Sequence, residues 1–137
     1  MSGVTVHDSC IATFEELKRK KAHRYIIFTI ENTTTIVIQH KGERTATYDD
    51  FIGKFTNDSP AYGVFDFEYE TPDGPREKLI LISWIPDTSK PRARMLYSSS
   101  KVALDNLDSS LLSIQANDAS QVAREEVLAK VKANKSA

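Results

Sequence analysis

The sequence predicts an α/β fold in which a central β-sheet of mixed strand direction is sandwiched between α-helices. Three observations carry this prediction. LILISWI (residues 79–85) is apolar throughout, as a strand covered on both faces must be. Phe65, Phe67 and Tyr69 alternate with Asp66, Glu68 and Glu70, which is the two-residue period of a half-buried strand. Other segments place apolar residues at i, i+4 and i+7, the period of helices that pack one face on a sheet.

The elements follow in chain order. Cys10, Phe14 and Leu17 predict an amphipathic helix over residues 8–21, capped by Asp8 or Ser9 and closed by the basic run Lys18–Lys21, where cations suit the helix dipole. YIIFTI (25–30) and TIVIQH (35–40) are β-branched and aromatic runs separated by turn-prone ENTT, hence a hairpin. TYDDFIGKF (47–55) reads as a short helix, and TPDGP (71–75) as the turn between the alternating strand and LILISWI. Pro91 suits a first helical turn, so a helix starts near residues 89–91 and runs to about Ala103. A short edge strand around Leu111–Gln115 follows. Asp118 then caps a last helix whose Val122, Ala123, Val127, Leu128 and Val131 face inward. No repeat, low-complexity tract or Pro/Gly linker divides the 137 residues, so the whole chain is expected to be one domain with flexible ends at 1–6 and 132–137.

Composition excludes several function classes. Lys and Arg total 18 against 19 Asp and Glu, a net charge of −1, so any pull on nucleic acid or anionic membrane must come from a local patch. The single cysteine, Cys10, rules out an internal disulfide and is expected as a small core residue in a reducing compartment. MSGVTVHD lacks a signal core, and no apolar run approaches the roughly 18 residues of a membrane helix, which predicts a cytoplasmic protein. His7, His23 and His40 are scattered, so no metal is expected. No P-loop, dinucleotide fingerprint or G-x-S-x-G elbow is present, and Asp49-Asp50 and Glu125-Glu126 diverge as helix neighbours. The sequence therefore predicts no enzyme and no cofactor. KRKKAHR (18–24) reads as a basic helix end, with a nuclear-import or nucleic-acid patch and a phosphoinositide contact as alternatives.

WIPDTSKPRARMLYSSSK (84–101) carries the strongest functional signal. Arg92 and Arg94 fall at the positive pole of the helix dipole, where a cation costs about 0.3 to 1 kcal/mol. Something other than helix stability favours them there. On a helical wheel Met95, Leu96, Ser99, Val102 and Ala103 form a stripe expected to pack, while Arg94, Ser98 and Lys101 line the other side. That side is either a solvated face or a surface for a partner.

MSGV at the start, YDDF (48–51), YGVFDFEYE (62–70) and WIPDTSKPRARMLYSSSK followed by VAL occur in the order found in one family. Along essentially its whole length the sequence resembles the actin-depolymerising factor (ADF)/cofilin family, which implies the ADF-homology fold. The resemblance further implies a monomeric, non-enzymatic protein that binds ADP-actin monomers and filament sides and promotes severing and depolymerisation. In the family the long helix enters the cleft between two actin subdomains. Ser2, Gly3, Val4, Arg92, Arg94, Ser98 and Lys101 match the surface used for monomers and filaments, with Met95 expected in the core. Arg76, Lys78 and Lys130 match the filament-only surface, and Ser2 matches a regulatory phosphorylation site. Phosphoinositides are implied as competitors of actin, and the cytoskeleton-associated cytoplasm as the location, with the nucleus as a second compartment. The pattern departs at Pro91, one place later than usual after Lys90, and at Ala129 and Ala133, where charged residues are common. These departures predict weaker filament contacts. The alternative is a non-severing relative that binds filament sides or regulates actin-related complexes.

Overall fold

The computed structural model describes residues 3–134. Ten main elements succeed one another: β1 (Thr5–Val6), α1 (Asp8–Lys20), β2 (His23–Glu31), β3 (Thr35–Glu43), α2 (Tyr48–Ile52), β4 (Ala61–Thr71), β5 (Gly74–Trp84), α3 (Pro91–Asp105), β6 (Leu112–Ala116) and α4 (Arg124–Ala133). The strands form one sheet in the order β1-β3-β2-β4-β5-β6. Its inner pairings are antiparallel, and β1 and β6 add parallel strands at the two edges, so the sheet is mixed as predicted.

Strand alternation assigns the two faces. Tyr62 and Val64 of β4 and Leu81 of β5 join Cys10, Phe14 and Leu17 of α1 and Tyr97 and Leu104 of α3. Phe65, Phe67, Ile80 and Ile82 point the other way, toward Tyr48 and Phe51 of α2 and Val127 and Val131 of α4. LILISWI is thus covered on both sides. Gly63 allows α2 to approach β4, because a Cβ there would lie 2.6 Å from the Phe51 ring. The β4–β5 hairpin turns through Pro72 and Asp73 into Gly74, whose φ of 117° suits glycine.

Several expectations are corrected. β4 is not half-buried: Asp66 is 1% exposed and accepts hydrogen bonds from Lys21 Nζ (3.1 Å) and Arg44 Nη2 (2.6 Å), partners that permit a charge inside. The cap of α1 is His7 rather than Asp8 or Ser9, its ring Nδ1 accepting the Ser9 backbone N–H at 3.0 Å. Asp118 caps a separate 3-10 turn, Ala119–Val122, and the chain extends at Ala123 (ψ 141°) before α4 begins. Within the N-terminal segment read as flexible, Val4 is buried and Thr5 and Val6 pair with Thr35 and Ile36. At the other end Lys132 and Ala133 belong to α4.

Lys18, in the last turn of α1, donates to Asp108 just beyond α3, and this bond pulls the Asp108 carboxyl down to about 2. A folded-state pKa below the unfolded value gives stability that is present above about pH 4 and lost as pH falls toward 2. The urea midpoint is therefore expected to fall across that window in the wild type, and to fall less in Lys18→Ala; an equal fall in both would remove this bond from the acid response.

Candidate functional site: the outer face of α3

Proline opens α3 at its first position, and Lys90, its N-cap, provides no side-chain hydrogen bond. The Ser89 hydroxyl turns back to donate to Pro86 O (2.5 Å). Two tyrosines set how the helix is rotated on the sheet. Tyr97 Oη accepts the Ile30 N–H at 2.8 Å, where β2 has run past its last β4 partner, and Tyr62 Oη donates to Tyr97 O at 2.5 Å. Tyr97, Ser100 and Leu104 consequently form the buried side.

This rotation overturns the expected packing stripe. Met95 is 74% exposed and Val102 50% exposed, and Ser99 is exposed too, while Leu96 and Ala103 are partly buried. Periodicity among aliphatic residues missed the phase, because an aromatic ring with a hydroxyl and a serine bonded to its own helix, Ser100 Oγ to Leu96 O at 2.6 Å, occupy the core side. Met95 is therefore a surface residue and not a core one. The outward face carries Arg92, Met95, Ser98, Ser99 and Val102.

Arg94 and Lys101 flank this face, both half-buried. Lys101 Nζ reaches Asp105 (3.2 Å) and Ser113 Oγ (3.1 Å). Neither Arg92 nor Arg94 has a carboxylate partner among the described residues, and Arg94 Nε lies out of solvent with no hydrogen-bond acceptor. Gly3 and Val4 precede β1, which touches α3. Gly3 is exposed, but Val4, expected at the contact surface, is buried in the core with Tyr97 and Leu104, because the chain enters the sheet here; Ser2 lies outside the described residues.

Of the second predicted set, Arg76 and Lys78 lie on β5 near its hairpin with β4, and Lys130 lies on α4, which packs on the other face of the sheet from α3. Arg76 is exposed and faces Tyr69 across the hairpin, and Lys130 is exposed on α4. Lys78 is only 7% exposed, not a solvated lysine, because strand alternation puts it on the covered face with Ile80 and Ile82. Arg124, which the sequence reading did not single out, shares a cleft of about 540 Å³ with Arg76 and Tyr69. Its guanidinium lies 5.1 Å over the Phe67 ring and donates to Glu68 O at 3.2 Å. A cation in the first turn of a helix was the available signal, the same one that drew attention to Arg92.

The basic run 18–24 is largely neutralised internally. Lys18 pairs with Asp108, Arg19 with Glu15, Lys21 with Asp66 and Glu77, and Arg24 with Glu68. Cys10 is fully buried with its thiol directed at Ile36 O (3.3 Å), and burial pushes its pKa up to about 11, so the thiolate needed for reactivity is suppressed. Among the described residues no group of three His, Cys, Asp or Glu side chains is placed to hold a metal ion, and no helix is long and apolar enough to cross a membrane.

The family described as "Cofilin/tropomyosin-type actin-binding protein" matches residues 3–132. The chain belongs to the ADF/cofilin family. It is 37% identical to actophorin of Entamoeba histolytica, with 96% of this chain and 97% of that one covered. Among solved structures it superposes on cofilin of Streptomyces griseoflavus with a TM-score of 0.89 at 36% identity, covering 96% and 99% of the two chains. It superposes on ADF/cofilin of Trypanosoma brucei with a TM-score of 0.81 at 50% identity and 98% coverage of both. The mixed sheet between helices is thus the ADF-homology fold, and α3 carries PRARMLYSSSK, part of the run on which the family resemblance rests.

Proposed function

We propose that this ADF/cofilin-family protein binds actin through the outer face of α3, prefers the ADP-bound subunit, and promotes filament severing and depolymerisation. The observation that supports this most is the pair Arg92 and Arg94, set at the unfavourable pole of a helix without carboxylate partners among the described residues. Charges held this way are free to meet an acidic surface, and the exposed Met95 and Val102 give the same face an apolar centre to bury. Ser98 keeps the middle of the helix low, and exposed Gly3 widens the contact. The protein acts by binding, as a monomer associated with the cytoskeleton, and not as an enzyme. A phosphate on Ser2 would add negative charge beside the contact and oppose binding to an acidic partner. Phosphoinositide headgroups would compete for the same arginines.

Arg76 and Lys130, joined by Arg124, form the filament-side surface in this reading, with buried Lys78 supporting the strand rather than meeting a partner. Co-sedimentation with ADP-actin filaments, reading protein in the pellet and actin released to the supernatant, tests the function. Pelleting with release is expected; pelleting without release would favour the non-severing side-binder. Arg76→Ala with Lys130→Ala is expected to weaken filament binding roughly tenfold, the effect of about 1.4 kcal/mol, while leaving the slowing of nucleotide exchange on monomers intact. Equal loss on monomers would sink the division into two surfaces.

A further inference from the structure

We propose that Asn117 is a positioning residue, one that fixes the lead-in of α3 and thereby sets where Arg92 and Arg94 stand; the inference rests on the reading of α3 as the actin-binding helix. α3 begins without a side-chain cap, so no cap side chain anchors its first turn. The anchor is the segment 85–89, which is closed on itself where Ser89 N–H and Oγ donate to Pro86 O and is otherwise held from outside. Ile85 N–H donates to Ala116 O at 2.9 Å. One residue further, the Asn117 amide Nδ2 donates to Ile85 O at 3.1 Å and reaches Asp87 Oδ1 at 3.5 Å. Asn117 is held in turn, its backbone N–H donating to Gln121 Oε1 at 2.5 Å.

Two further bonds join the same segment to a third loop. Trp84 Nε1 donates to Thr56 O (2.6 Å), and Thr88 Oγ1 donates to Asn57 O. Three loops that are far apart in sequence are therefore stitched together directly before α3. Trp84 and Thr88 each make one of these bonds to backbone. Asn117 makes two, to a carbonyl and to a carboxylate two residues apart in the lead-in, and so restrains both its position and its direction. Without the Nδ2 donor, Ile85 O and Asp87 lose this tether, and the turn closed by Ser89 and Pro86 gains freedom to shift as a unit. That freedom passes to Arg92 and Arg94, because the first helical bond, Arg94 N–H to Lys90 O at 3.0 Å, closes on the end of this segment.

The test combines two readouts on Asn117→Ala, Arg92→Ala and the double variant. In the free protein, amide hydrogen exchange at Arg94 and Met95 is expected to quicken at least tenfold in Asn117→Ala, while exchange in β4 and the melting temperature barely change. In binding, the slowing of nucleotide exchange on ADP-actin monomers is expected to need about tenfold more Asn117→Ala protein. The double variant is expected to lose less than the product of the two single losses, because a helix already lacking Arg92 gains less from being placed correctly. Unchanged exchange at the start of α3, or losses that multiply in full, would overturn the proposal. Should Asn117→Ala fail to fold, Asn117→Asp keeps the shape, removes the donor and takes the same readouts. If the wild type itself does not act on actin, the function fails, and the hydrogen-exchange result still decides whether Asn117 anchors α3.

Discussion

Replacing Arg92 and Arg94 together by alanine is expected to lower affinity for actin monomers and filaments alike by about 100-fold, roughly 3 kcal/mol. The estimate treats both guanidiniums as contacts that become desolvated against an acidic partner. Arg92 is exposed on the outer face and Arg94 is half-buried at its flank, and neither has a carboxylate partner among the described residues. Stability offers a built-in control. Both cations sit where the helix dipole opposes them, so their removal is expected to leave the melting temperature unchanged or slightly higher, offset only by the packing of the Arg94 stem. Loss of binding with a preserved melting temperature would place the effect at the contact. A double variant that still binds within threefold of wild type would remove α3 from the interface.

Asp66→Ala should produce the largest loss of stability, about 3 kcal/mol, and with it a fall in melting temperature of roughly 10 °C. Asp66 is 1% exposed and serves two cations at once: Lys21, which ends α1, and Arg44, which follows β3. Its backbone oxygen also accepts from Arg24 Nε (2.9 Å). Truncation leaves two positive charges facing a space their counter-charge has left. The figure sits at the low end for a broken buried pair because Lys21 and Arg44 keep 40% and 30% of their side chains in water. Asp66→Asn retains acceptor oxygen and should lose less. A melting shift under 3 °C for the alanine variant would show that the cations are satisfied by water.

The same residue shows where sequence legibility ends. The period of YGVFDFEYE reveals a strand correctly, but it cannot reveal that Asp66 lies under the end of α1, since burial of a carboxylate depends on partners distant in sequence. LILISWI, the hairpin of β2 and β3 and the helix opening at Pro91 were legible because each imposes its own local pattern. β1 was not, since two residues have no period. On α3 the cations could be read from position alone, whereas the outward turn of Met95 depended on Tyr97 reaching Ile30. The placing of Lys78 and Arg124 has a similar reason: a strand face covers the lysine, and after the break at Ala123 the arginine shares a cleft with Arg76.

The sheet ends on each side in a short strand, β1 with two residues and β6 with five, and Lys101 extends its ammonium to Ser113 along the second of these. An outer strand with free backbone groups is a template on which copies of a protein can stack into insoluble ribbons. β1 covers only Thr35 and Ile36 and β6 only Ile80–Trp84, so the rest of each margin is β3 or β5 itself, where exposed Lys41, Glu43, Arg76 and Glu77 discourage such stacking. Proteins of this kind would stand shoulder to shoulder when they decorate a polymer. Under the proposed function, charged sheet margins would let neighbouring molecules crowd on a filament without adhering to one another.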